Sequence, residues 1–143
     1  MSGQVRPGWS YWIIAIISLL WNAFGGFDYV MTKSHDPAWL SQFPADIIDY
    51  IDAMPVWATA AWAVGVWGSV LGSILLLLRS RWAVPAFWLS LIGLAVSTCH
   101  QVFTGLPPAM TTPAMLGMTA IIWIALIFQL GFAIRSGRRG YLG

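Results

Sequence analysis

The chain has 143 residues, of which 59% are hydrophobic and only 8% are charged: seven are Lys or Arg, five are Asp and none is Glu. A soluble domain is roughly 45–50% apolar and about 25% charged, so this composition excludes an ordinary soluble domain and a disordered chain. The single cysteine, Cys99, excludes an intrachain disulfide scaffold. With ten Trp and 14 Gly, the sequence indicates an integral membrane protein.

Four apolar stretches each reach the ~20 residues that a helix needs to cross the hydrocarbon core of a bilayer. Because their apolar runs lack the alternation of a spanning strand, helices are predicted. We predict an all-α, polytopic fold over residues 1–143, a single four-helix transmembrane domain with spans at about 9–31, 55–78, 82–104 and 114–134. Bulky residues at 20–24, within the first stretch, stand where a signal-peptide cleavage site needs small ones, which indicates a retained span.

The basic residues predict the orientation. Six of the seven flank the spans on one side, and only Lys33 falls on the other. By the positive-inside rule both termini then lie in the cytoplasm, and a bacterial inner membrane is the expected location. The six are Arg6, Arg79, Arg81, Arg135, Arg138 and Arg139.

The loop between the first two spans contains a predicted amphipathic segment at about 37–54. Apolar residues share one face of its second helix, whereas Asp46, Asp49 and Asp52 recur every third residue. This pattern is typical of a helix that lies on the outer membrane surface. The aspartates are interpreted as a solvated face, with a cation site as the alternative.

Small residues form stripes at helical spacing in the second and third spans. Such stripes let helix backbones approach closely, and the tight turn at 79–81 predicts that the two spans pair as an antiparallel hairpin. A seam between copies of the chain is the alternative. The stripes are Ala61, Gly65, Gly68 and Gly72 in one helix, and Ser90, Gly93 and Ser97 in the next.

Four polar residues within the spans form a candidate intramembrane site: Asn22, Asp28, His100 and Gln129. Polar side chains in lipid are costly unless they are partnered, and ionisable ones are functional candidates. Asp28 and His100 fall at similar depth, so a contact between them is predicted. That pair is interpreted either as a structural hydrogen bond or as a proton-coupling pair.

Four deep tryptophans form a candidate aromatic slot: Trp21, Trp62, Trp67 and Trp123. They either pack the bundle or bind a ring-bearing, lipid-like or sugar ligand. Motifs of metalloproteases, P-loop proteins and serine hydrolases are missing from the sequence. We therefore expect no enzyme, no metal, no cofactor and no nucleic-acid partner.

Three motifs carry a resemblance to a known group: W-N-x-x-G-x-x-D-Y-x-M at 21–31, P-x-W at 55–57 and A-W-A-x-G-V-W-G at 61–68. On these motifs the chain resembles small four-helix inner-membrane proteins of proteobacteria through nearly its whole length. That group is usually labelled uncharacterised, and some members are labelled as candidate sugar transporters. The resemblance implies a four-helix membrane protein and assigns no residue a role.

Two functional hypotheses follow. In the first, the protein is a non-catalytic accessory or scaffold subunit of a membrane complex, with the lipid bilayer and a homo-oligomer or a larger assembly as its partners. In the second, it is a small oligomeric, proton-coupled transporter of a sugar-like or hydrophobic solute. Asp28 would then couple protons, Asn22 and His100 would contact the substrate, and the deep tryptophans would form the slot.

Overall fold

The computed structural model describes residues 5–143 and is helical over most of that length. Four long helices are joined by two short helices in the first loop and by a 3-10 turn at Pro108–Met110 in the third. In chain order the helices are α1 Trp9–Lys33, α2 Pro37–Leu40, α3 Ala45–Asp52, α4 Val56–Leu77, α5 Ala83–Thr104 and α6 Pro113–Arg138.

The predicted fold class is confirmed: the described chain is all-α, and four of its helices are long and apolar enough to span a membrane. Their ends differ from the predicted spans by one or two residues, except that α6 continues to Arg138 instead of ending at 134. Arg135 and Arg138 lie in the last turn of α6, where cations interact favourably with the helix dipole. At its other end, Pro113 occupies the first turn and the Thr112 hydroxyl accepts a hydrogen bond from the Met115 amide.

The first loop contains helix within the predicted segment at 37–54. Asp36 caps α2, since its carboxylate accepts a hydrogen bond from the Trp39 amide at 2.9 Å. In α3, Ile47 is buried while Asp49 and Asp52 are exposed. The position of α3 on a membrane surface stays a prediction.

Helix α4 is the centre of the bundle, because it packs against α1 on one side and α5 on the other. The two small-residue stripes face each other across the α4–α5 contact. A Cβ added at Gly93 would lie 2.6 Å from the Gly65 backbone nitrogen and 2.7 Å from the Ala61 carbonyl oxygen. The Ser90 hydroxyl donates to the Gly65 carbonyl at 2.5 Å. The two backbones therefore touch where side chains would keep them apart.

Helix α6 joins the bundle through only one of its halves. All its buried residues lie between Leu126 and Ser136, whereas Pro113 to Ala125 contains none. In the joined half, Phe132 meets the Tyr11 ring of α1 with centroids 5.5 Å apart. The half of α6 nearer the 3-10 turn thus projects away from the other helices.

At the arginine-rich end of the bundle, the Arg79 side chain and backbone groups form hydrogen bonds that hold the chain segments together. Arg79 adopts a left-handed conformation with φ of 54°, and its guanidinium donates to the Val5 and Tyr141 carbonyls at 2.6 and 3.0 Å. The Gly143 amide donates to the Arg79 carbonyl at 2.8 Å. The segments before α1 and after α6 are therefore held against the turn between α4 and α5.

We expect Gly93→Ala to destabilise the protein by about 1–3 kcal/mol, because the added methyl group meets backbone atoms that cannot rotate away. Gly117→Ala is the matched control, since nothing lies within 4 Å of a Cβ at that position. The measurement is the free energy of unfolding in mixed micelles. Equal stability of the two variants would contradict the close α4–α5 contact.

Candidate functional site

The deepest polar group is a hydrogen-bonded cluster around Asn22, which we call the Asn22 cluster. The side-chain amide nitrogen of Asn22, Nδ2, lies 2.6 Å from the Ser73 hydroxyl and 3.1 Å from the Ser69 carbonyl oxygen, both on α4. On α6, the Gln129 side-chain oxygen lies 2.9 Å from the same nitrogen. The four residues of the cluster, Asn22, Ser69, Ser73 and Gln129, are all buried and connect three helices.

The members of the cluster form hydrogen bonds with one another. The Ser73 hydroxyl donates to the Ser69 carbonyl at 2.9 Å and accepts from Asn22, so both its hydrogen-bonding functions are used. Over residues 5–143, no fully buried side-chain nitrogen or oxygen lacks a partner. An unpartnered polar group in an apolar interior would cost several kcal/mol. The cluster therefore fastens α1 to α4 through Asn22 and α6 to α1 through Gln129.

Ser69 and Ser73 are not among the site residues predicted from the sequence. Ser69 and Ser73 lie one turn apart on α4, beside the glycine stripe, so both point to the same side of the helix. Serine is also a common helix-packing residue, and the spacing alone does not distinguish a packing role from a hydrogen-bonding role.

Asp28 lies near the loop end of α1 and binds that loop. Its carboxylate accepts hydrogen bonds from the Trp39 indole at 3.0 Å and from the Thr32 hydroxyl at 3.3 Å. The Trp39 ring also packs edge-on against Phe27, with centroids 5.2 Å apart. Asp28 thus holds the short helix α2 against the end of α1.

His100 is buried near the loop end of α5 and lies beside the second half of the first loop. Its Nδ1 is 3.5 Å from the Tyr50 hydroxyl, at the outer limit for a hydrogen bond, and its ring packs edge-on against Trp57 at 5.2 Å. The Tyr50 hydroxyl lies 3.0 Å from that of Thr104. These contacts fasten α3 to α5.

The predicted contact between Asp28 and His100 is wrong. Each side chain has a partner from the first loop instead, Trp39 for Asp28 and Tyr50 for His100. The prediction rested on the similar depth of the two residues along their helices. In the structure, the first loop folds back over the bundle and supplies the partner of each. Of the four polar candidates, only Asn22 and Gln129 are brought together.

The four candidate tryptophans occupy separate places. Trp62 and Trp67 pack edge-on against the Tyr29 ring, with centroids 4.7 and 6.2 Å apart. Trp21 lines a different surface, between α1 and α6, and Trp123 lies on the projecting half of α6. Two of the four therefore help to pack α4 against α1.

Two open clefts flank the bundle. One has a volume of about 410 Å³ and lies between α3 and the end of α5, with Tyr50, His100 and Thr104 in its wall. The other has a volume of about 260 Å³, lies between α1 and α6, and is almost entirely apolar. We call the second the α1–α6 cleft.

Ionisable groups are sparse and scattered. His35 and Asp52 form an exposed pair with 2.8 Å between Nε2 and Oδ1, and both belong to the first loop. In the part of the chain that the structure describes, no three His, Cys, Asp or Glu side chains gather as metal ligands would. Comparison with protein-family models, curated proteins and solved structures returned no match to this chain.

We expect Asn22→Ala to lower the free energy of unfolding in mixed micelles by about 1–2 kcal/mol, because the Gln129 side chain loses its donor. Adding Gln129→Leu to that variant removes the stranded acceptor. The double variant is therefore expected to lose less than the sum of the two single losses. Strict additivity would contradict the hydrogen bond between these residues.

Proposed function

We propose that this protein is a non-catalytic integral membrane protein that serves as an accessory or scaffold subunit of a larger membrane complex. The observation that carries the proposal is the Asn22 cluster, in which the deepest polar side chains bind one another. A solute-binding site within the membrane needs polar groups that face a cavity and remain available to the solute. Here those groups hold helices together.

The distribution of the other polar residues supports the same proposal. A proton-coupled transporter places its ionisable residues along a shared pathway. Asp28 and His100 instead bind different parts of the first loop. The tryptophan contacts favour packing over a ligand slot, because Trp62 and Trp67 both lie against Tyr29.

The projecting half of α6 supports the assignment as a subunit. None of its residues from Pro113 to Ala125 is buried, and nothing lies within 4 Å of a Cβ placed at Gly117. Glycine on an open helix face permits close approach by a helix of another chain. We propose that the turns of α6 around Gly117, between the 3-10 turn and the α1–α6 cleft, pack against a helix of the complex.

The proposed location is the bacterial inner membrane, with both termini in the cytoplasm. It rests on the six arginines that flank the four spans on one side. Hydrogen bonds from the Arg79 side chain to the Val5 and Tyr141 carbonyls support a common end of the bundle for these charges.

We expect Asp28→Asn to leave proton flux unchanged in liposomes that contain a trapped pH-sensitive dye and experience an imposed pH gradient. Asparagine retains the side-chain oxygen that accepts from Trp39, so the fold is also expected to change by less than about 1 kcal/mol. Asp49→Asn, an exposed change in the first loop, is the matched control. Flux above that of empty liposomes, lost only in Asp28→Asn, would contradict the proposal and favour the proton-coupled transporter.

A further inference from the structure

The α1–α6 cleft is an apolar recess on the side of the bundle. It begins where α6 leaves the other helices, and Gln129 of the Asn22 cluster lies in its wall, with the side-chain oxygen already bound to Asn22. Its walls offer hydrocarbon and aromatic rings to an occupant. The apolar lining side chains are Ile14, Ile17 and Trp21 from α1 and Ile121, Ala125 and Phe128 from α6, and the polar ones are Ser18 and Gln129.

The dimensions of this cleft limit what it can hold. Ile121 and Phe128 lie seven residues apart on α6, so the lined stretch is about 10 Å long at 1.5 Å per residue. A volume of about 260 Å³ over that length gives a cross-section of about 26 Å². A helix with its side chains is about 10 Å across and has roughly three times that cross-section. The cleft fits a single hydrocarbon chain.

Positive charge lies beyond one end of the cleft. Arg135 follows Phe128 by seven residues, which returns it to nearly the same face of α6. Arg139 is one turn further, at the end of the helix. Both side chains are exposed, and neither forms an ion pair within residues 5–143. Around the axis of α6, Arg138 lies about 100° from Ile121.

From these observations we propose that the α1–α6 cleft binds one acyl chain of an anionic phospholipid, whose phosphate group is held by Arg135 and Arg139. Arg135 lies 14 residues from Ile121, or about 21 Å along α6. That distance accommodates a chain that crosses a leaflet of about 15 Å together with its headgroup region. The proposed lipid therefore comes from the leaflet at the arginine-rich end of the bundle. This inference does not depend on whether the protein is a subunit of a complex.

The test is the amount of phospholipid that remains with the full chain after purification in mild detergent from membranes containing phosphatidylglycerol and phosphatidylethanolamine. Mass spectrometry of the purified protein is expected to find phosphatidylglycerol retained in preference to phosphatidylethanolamine. Arg135→Gln is expected to lower its retention about fivefold, because one cationic contact with the headgroup is lost. Arg138→Gln, which removes the same charge from another face, is expected to leave retention unchanged.

A second pair of variants tests the cleft itself. Ala125→Trp fills the recess and is expected to abolish retention, whereas Ala120→Trp adds the same bulk to an exposed position outside the lining and is expected to have no effect. Three results would overturn the proposal: equal retention of both phospholipids, equal loss in Arg135→Gln and Arg138→Gln, or a dimer that forms through this face of α6 in place of bound lipid.

Discussion

The contact between the backbones of α4 and α5 at Gly65 and Gly93 is the constraint on which the rest of the bundle depends. Lipid is as apolar as the helix surfaces, so the hydrophobic effect does little to bring spanning helices together, and close van der Waals contact must do so. Glycine at both positions lets a backbone nitrogen lie where a side chain would otherwise be. Helix α4 then presents the face beside its glycine stripe to α1, with Ser69 and Ser73 directed at Asn22.

The need to pair buried polar groups explains which half of α6 packs against the bundle and which half separates from it. Gln129 binds Asn22 in the half of α6 that also buries Leu126 and Leu130. Beyond Ala125 toward the 3-10 turn, α6 has no polar contact with the bundle, and none of its residues is buried. Gln129 thus both ties α6 to α1 through Asn22 and lines the α1–α6 cleft. Because Gln129 binds Asn22 in one half of α6 only, the deepest polar residues have a structural role and the other half of α6 keeps an open surface.

Much of the fold could be predicted from the sequence because lipid imposes strict rules. Four apolar stretches longer than the hydrocarbon core permit few structures other than helices, and the span limits followed from proline and from polar turn residues. The glycine and serine spacing on the second and third spans also indicated which faces meet. What could not be predicted were contacts that depend on the first loop. Trp39 and Tyr50 reach back to Asp28 and His100, and no helical period describes a short loop that folds over the end of a bundle.

The measurement that most directly tests the subunit assignment is native mass spectrometry of the protein extracted from its own membranes in mild detergent. We expect a stoichiometric second polypeptide. Gly117→Leu, on the projecting half of α6, is expected to release it, whereas Gly131→Leu, at another glycine with no atom within 4 Å of an added Cβ, is expected to retain it. A homodimer or a monomer with no second polypeptide would contradict the assignment.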